Sequence, residues 1–465
     1  MLFNSLDYIA LLAVSLLFYW LSPSLRLRQL IVFVASVAFY VSWSQAFMLM
    51  LLILIGINWL LGWQVSRHRS RLWIGIACIL NLGLLAWFKY ANFFAANIAW
   101  LGQEAGWMEA APHWQMILPL GISFFMFEII SYLVDIQRGK IAHERNPLIF
   151  ANFILFFPHL IAGPICRAGQ LMPQLRTYQS LKLDNIYNGL YLFLCGLVLK
   201  VAIADGLAPF VNVIFKAPAN YSGLENSLGA IGFGIQILCD FWGYSLMALG
   251  SGLLFGYALP PNFNAPYAAT SIRTFWHRWH MTLSSWLRDY LYIPLGGSRV
   301  DRAWKIQRNL FITMLLGGLW HGANWTFIIW GALHGTALII NHTFEKWLPQ
   351  GATRLFRWPP VGWLLTMLVA FTGWIFFRAW QLDDALLTIS QIVTPAANWL
   401  DMRIRPVFFE LLLLFVGLNW LIHRTTYGYD MALARPVKQM AMVALLTLVA
   451  FIYYVDSIDF IYFQF

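Results

Sequence analysis

The residues able to do chemistry in this chain stand out because they interrupt long apolar stretches. The strongest interruption reads Gly317-Gly318-Leu319-Trp320-His321-Gly322-Ala323-Asn324-Trp325, and a second histidine follows in Leu333-His334-Gly335. An ionisable side chain is expensive in such surroundings and is a functional candidate on that ground alone. An imidazole can take a proton from a hydroxyl and hand it on near neutral pH. A buried histidine is also commonly a hydrogen-bonded core residue, so both readings stand for His321. Glycines on both sides of the Trp320-His321 pair leave room for a substrate or a second helix. His321 and His334 are 13 positions apart. On one unbroken helix that is about 20 Å along the axis and nearly opposite faces, so both meet one reacting atom only if the helix breaks. Asn324, three residues on from His321, is placed to orient the ring or a substrate carbonyl, or simply to pack.

A second constellation occupies residues 271–309. Its polar residues Arg273, His277, His280, Ser284 and Arg288 fall at offsets 0, 4, 7, 11 and 15, which is one stripe of a 3.6-residue helix. Phe275, Trp279, Trp286 and Tyr290 lie on the other side. The spacing predicts one amphipathic helix at the cytoplasmic interface or along a polar cavity, ended by Pro294 and the Gly296-Gly297 pair. Arg299, Arg302, Lys305 and Arg308 follow. These cations are either an ordinary cytoplasmic loop or the seat of an anionic cofactor's phosphates, held by charge-assisted hydrogen bonds. His277 and His280 lack a third ligand in the same run, so no metal is expected here. Asp240, in Cys239-Asp240-Phe241-Trp242-Gly243-Tyr244, and Glu128, Asp135 and Asn262 are further polar residues within apolar sequence. Asp240 can pair with a histidine or arginine of the stripe, or line a tunnel.

The elements that must position these groups are membrane spans. Of 465 residues 60% are hydrophobic and only 11% charged. Soluble domains carry roughly 25% charged residues, so soluble, secreted and disordered classes are excluded. Apolar runs long enough to cross a bilayer fall near 6–22, 30–44, 46–64, 72–90, 117–135, 186–204, 229–258, 309–341 with a break, 361–378, 407–423 and 439–455. The stretch 150–165, broken by Pro158, Gly163 and Pro164, reads as a re-entrant or tilted helix pair. The first run lacks the basic and cleavage-site flanks of a signal peptide and is read as a retained span. Arg26 and Arg28, then Arg67, Arg69 and Arg71, then Arg138, Lys140 and Arg145 follow alternate spans, which puts the N-terminus outside the cytoplasm. The net charge of +10 points to that orientation and to anionic lipid, not to nucleic acid. Cys78, Cys166, Cys195 and Cys239 sit singly in apolar surroundings and read as small buried hydrophobes, not as a disulfide framework or zinc site. A single integral domain covering 1–465 is the simplest organisation.

Four motifs then carry a family resemblance. Leu118-Pro-Leu-Gly-Ile-Ser-Phe-Phe, Phe157-Pro-His-Leu-Ile-Ala-Gly-Pro164, Phe275-Trp-His-Arg-Trp-His280 with Trp286-Leu-Arg-Asp-Tyr-Leu-Tyr-Ile-Pro-Leu-Gly-Gly297, and Leu316-Gly-Gly-Leu-Trp-His-Gly-Ala-Asn324 resemble the membrane-bound O-acyltransferase (MBOAT) family. The likeness is to its bacterial alginate and cellulose O-acetylation branch, with teichoic-acid D-alanylation proteins as relatives. It runs from about residue 75 to 380 and resumes in the tail at 460–465, past the C-terminal spans at 407–455.

The resemblance implies an all-α fold of roughly 10–12 spanning helices, with re-entrant and interfacial helices around a central funnel. It implies that His321 is the catalytic histidine and His280 the second recurrent one, while His334 matches a histidine of less clear role. It further implies an inner-membrane acetyltransferase taking acetyl from cytosolic acetyl-CoA. Arg273, Arg288, Arg299 and Arg302 would meet the donor, and Asn324, Asp240, His334 and Trp320 would line the substrate path. No cofactor is bound permanently, and a periplasmic acyltransferase or relay protein completes delivery to an exported polysaccharide. Trp242 and Leu246 depart from that branch, which carries a Ser and an Asp there. A transporter or channel passing an acyl group, lipid or glycan without chemistry fits the broken helices too, and a haem protein would need paired histidines on facing helices.

Overall fold

The computed structural model describes residues 1–107, 114, 117–161, 163–347, 358–394, 399–426, 436–452 and 461. Among them the regular structure is helical, with no strand. Among the described residues every apolar run read from the sequence contains a helix, and six helices are long and apolar enough to cross a bilayer. The chain folds as two compact units, residues 1–185 with 251–259, and residues 186–250 with 260–465.

The first unit begins with α1 (Leu6–Leu21), α2 (Leu25–Val41), α3 (Gln45–His68) and α4 (Arg71–Glu104). Each starts at a serine whose side chain accepts a backbone N–H of the first turn: Ser5, Ser24, Ser44 and Ser70. That satisfies one of the donors a helix start leaves open. Burial runs opposite to a water-soluble protein. On α1, Tyr8, Ser15 and Tyr19 are buried while Leu6, Val14, Leu17 and Leu21 face outward. Apolar side chains turned out and polar ones turned in is the pattern of a helix with lipid as solvent. Asn58 of α3 and Asn81 of α4 exchange amide hydrogen bonds at 3.1 and 2.8 Å, joining two spans through buried polar groups.

After α5 (Ile122–Gln137), the predicted re-entrant pair takes the form of α6 (Pro147–Leu155), a buried turn, and α7 (Ala168–Leu175). Pro147 opens α6, where its missing N–H is harmless.

The second unit begins with α8 (Leu183–Val198), which runs through a π-type turn at Leu199–Ala204 into α9 (Asp205–Lys216). It packs against α10 (Gly223–Leu254) at glycine: a methyl on Gly196 would overlap the Gly243 carbonyl, and one on Gly250 would press on the Gly189 carbonyl. Small residues allow helix backbones to approach this closely in membranes.

The predicted single amphipathic helix is instead two short ones, α11 (Ile272–Arg278) and α12 (Met281–Leu287), followed by a π-type turn at Arg288–Tyr292. The break falls at His280, whose backbone is left-handed with φ 40°. Asn262 holds the kink. Its carbonyl accepts Met281 N–H at 2.8 Å, its side-chain oxygen accepts Thr282 Oγ1 at 2.6 Å, and its amide donates to Ser245 at 3.0 Å.

The long run from 309 breaks too. α13 (Ala303–His321) ends on His321, and α14 (Trp325–Trp347) returns antiparallel against it. The two lock at Gly318 and Gly331, where any Cβ would strike the backbone of the other helix.

Candidate active site

The hairpin break decides the geometry. Because the chain reverses after His321, His334 comes back along the same wall, and both histidines pack on Trp330. The His321 and Trp330 ring centroids are 4.9 Å apart, and those of Trp330 and His334 are 4.8 Å apart. His280, turned inward by its left-handed backbone, reaches Trp320 at 6.1 Å, and Trp320 lies 5.0 Å from the His321 ring. The three histidines therefore form one buried row, His280–Trp320–His321–Trp330–His334. Phe241 closes the His280 end at 4.6 Å, and Phe377 covers His321 at 5.0 Å. His280 and His334 are wholly buried, and His321 is 4% exposed.

The row leaves polar groups unmet. Among the described residues, neither ring nitrogen of His334 has a hydrogen-bond partner, and neither do the indole nitrogens of Trp276, Trp330 and Trp374. These groups adjoin one another. Trp276 is 5.2 Å from His334 and 5.7 Å from Trp330, and Trp374 is 6.3 Å from Trp330. Native interiors satisfy nearly all buried polar atoms, so this cluster of exceptions is a candidate place for a polar guest.

The stripe of residues 273–288 supplies the other half of the candidate site. Arg273, His277, Ser284 and Arg288 all line a cavity of about 450 Å³, with Tyr292, Asn341, His342 and Glu345 on further walls. The predicted periodicity thus survives as a cavity face even though the helix is broken. Only His280 leaves it, for the histidine row. His277 and His280 consequently face different surroundings. Trp276 belongs to both places: it lines the cavity and touches His334 and Trp330. One indole is the partition between them.

The cavity cations have carboxylate neighbours, Arg273 with Glu345 at 3.1 Å and Arg288 with Asp289 at 2.8 Å. The Asp289 hydrogen bond pushes the Arg288 guanidinium pKa above its ordinary value. Arg299 and Arg302 are exposed and do not line this cavity. Arg302 lies 3.9 Å from Asp301, whose other partner Lys305 holds its carboxyl below the usual carboxylate range.

Two expected substrate-path residues have structural partners. Asn324 closes the hairpin: its amide donates to the Trp380 carbonyl at 2.9 Å, and its oxygen accepts Thr326 N–H at 3.1 Å. Asp240 faces neither a histidine nor an arginine of the stripe. It pairs with Lys200 at 2.8 Å, while Lys200 also reaches Asp205 at 2.7 Å, and Ile461 N–H donates to Asp240 at 2.7 Å. Lys200 escapes a reading of local motifs because both partners are reached only through the π-type turn and the glycine packing. The signal available was a single cation within the run 186–204.

Buried histidines therefore stand beside a cavity lined by two arginines in a multi-pass helical protein. Residues 137–379 match the model of the membrane-bound O-acyltransferase family. The chain is 41% identical over 372 residues to the probable alginate O-acetylase AlgI of Azotobacter vinelandii, covering 79% of this chain and 72% of that one. It is 38% identical over 392 residues to the peptidoglycan O-acetyltransferase of Helicobacter pylori, covering 77% and 72%. Teichoic acid D-alanyltransferase of Bacillus subtilis is 28% identical over 270 residues, covering 56% and 67%. The chain belongs to the membrane-bound O-acyltransferase family. It is an O-acyltransferase, and the histidine row lies within the matched segment.

Proposed function

We propose that this protein moves acetyl from acetyl-CoA to a hydroxyl acceptor for O-acetylation of an exported polysaccharide of alginate type, at the bacterial inner membrane with the N-terminus in the periplasm. The observation that carries the reading is the row His280–Trp320–His321–Trp330–His334 set one indole away from a basic cavity. Arg273 and Arg288 receive the anionic donor in exchange for their present carboxylate neighbours, with His277 on the same cavity wall. His321 takes the proton of the acceptor hydroxyl as its oxygen attacks the thioester carbonyl. The carbon–sulfur bond then breaks, and the proton passes from the imidazolium to the departing thiolate. Such base catalysis contributes about 10²–10⁴-fold. His280 orients the donor or meets developing charge across Trp320, and the indole N–H groups beside His334 are suited to a carbonyl or hydroxyl oxygen. A periplasmic acyltransferase or relay protein carries the acetyl to the glycan. His321→Ala is expected to abolish acetyl on the exported polymer and CoA release by the purified protein, with protein level and folding unchanged. Unchanged acetylation at normal protein level would sink the assignment. Polymer acetylation without CoA release would favour passage of an acyl group without chemistry.

A further inference from the structure

Away from the histidine row, the first unit brings together three residues of different chemistry. Glu128 on α5, His159 in the turn after α6 and Cys166 before α7 are each buried, and their potential ligand atoms all lie within 4.8 Å of one another. Nothing in their spacing announces this, since the chain must leave α5 and return through the re-entrant pair to assemble it.

The hydrogen bonds decide what the cluster wants. His159 Nε2 sits 3.1 Å from the Phe153 carbonyl oxygen, so Nε2 carries the hydrogen. The neutral ring then turns the lone pair of Nδ1 toward Glu128 Oε1, at 3.4 Å. Two acceptors facing each other need a cation or a proton between them. A charge-assisted hydrogen bond would close to about 2.7–2.9 Å, whereas two ligands on tetrahedral bonds of about 2.0–2.1 Å stand about 3.3–3.4 Å apart. The observed separation falls in the range of co-ligands. Donation of the second ring N–H to a backbone carbonyl is also the usual support of a metal-bound histidine.

Charge agrees with geometry. A divalent ion with one carboxylate, one thiolate and one neutral imidazole is a neutral unit in itself, and the Arg167 guanidinium lies close enough to act on Glu128 as well. The turn is shaped for the purpose: Gly163 donates its N–H to the His159 carbonyl at 3.1 Å, and any Cβ there would overlap the His159 backbone. Cys166 N–H donates to Glu128 Oε1 at 2.8 Å, bringing the cysteine to the carboxylate. Its sulfur, within 4.8 Å of the other two ligand atoms, moves inward to form a bond of about 2.3 Å.

We propose that Glu128, His159 and Cys166 bind one divalent transition-metal ion, zinc by this mixture of donors, clamping α5 to the re-entrant turn. The test is the zinc content of the full-length protein purified in detergent without added metal. About one equivalent is expected, falling several-fold in Cys166→Ser and in Glu128→Gln. Because either variant can fold poorly, cobalt is exchanged into the wild-type protein. A thiolate-to-cobalt charge-transfer band, lost in Cys166→Ala of unchanged elution volume, supports the site. Wild-type protein with less than about a tenth of an equivalent after zinc supplementation, or zinc content indifferent to both substitutions, overturns it. The first of these results is the one expected if Glu128 and His159 merely share a proton.

Discussion

Two buried polar clusters in the second unit treat the same problem in opposite ways. Around Lys200, every charge faces an opposite one, with Asp205 and Asp240 within 2.8 Å of the ammonium. Around His334, ring and indole nitrogens lack hydrogen-bond partners among the described residues. Paired opposite charges hold a structure in place, even where, among the described residues, single carboxylate oxygens of Asp205 and Asp240 accept no hydrogen bond. Unmet donors and acceptors tax stability and are kept where a ligand repays them. The first cluster is therefore read as scaffold and the second as the candidate site, although both read in the sequence as polar residues in apolar spans.

The largest effect that can break this contrast is on folding. Lys200→Met leaves two carboxylates without their cation and is expected to cost about 3–5 kcal/mol, read as a lowered Tm and poor yield in detergent. The triple variant Lys200→Met, Asp205→Asn, Asp240→Asn is expected to recover most of it. A Lys200→Met protein of normal Tm would remove the scaffold assignment. His334→Leu, of similar volume, should do the reverse: Tm unchanged or raised, because a buried unpaired polar group worth about 1–3 kcal/mol is removed, and acetyl transfer lowered about tenfold. Loss of Tm without loss of kcat would move His334 to the scaffold side.

A smaller change is expected at the cavity. Arg273→Ala and Arg288→Ala should each raise the KM for acetyl-CoA several-fold with kcat little altered, as removal of uniform donor binding does. An unchanged KM would place the donor elsewhere. The smallest effect belongs to Asp301. Its pKa lies below the unfolded value because of Lys305, so its contribution is present above the ordinary carboxylate range and is lost as pH falls through the depressed value. On an exposed loop, Asp301→Asn should leave Tm at neutral pH and activity within error. A clear loss of donor affinity would instead bring the 299–308 loop into the site.

What the sequence disclosed follows from how far each interaction reaches along the chain. The spans were legible because a bilayer demands local runs of apolar residues, and His321 because Gly-Trp-His-Gly interrupts one. The stripe of Arg273, His277, Ser284 and Arg288 was legible as a face, since each half of the broken helix keeps its phase. The break itself was hidden: His280 is neither Gly nor Pro, and the groups that stabilise its left-handed backbone come from Asn262, 18 positions earlier. Asn324 carried the right spacing for a role at His321 and the right chemistry for a helix cap, and only the coordinates separate these. Lys200 with Asp240, and Glu128 with Cys166, meet across 40 and 38 positions. No local motif records such pairs.

The contact between Gly318 and Gly331 has a mechanical consequence. It sets the spacing of His321 and His334 backbone against backbone, with no side chain in between whose rotamer could relax. Packed backbones resist compression, and a hairpin so short and so tightly apposed has little freedom to shear. The histidines thus behave as fixed jaws. Any displacement near them falls to the parts that remain adjustable, which are the Trp276 indole and the side chains of the cavity.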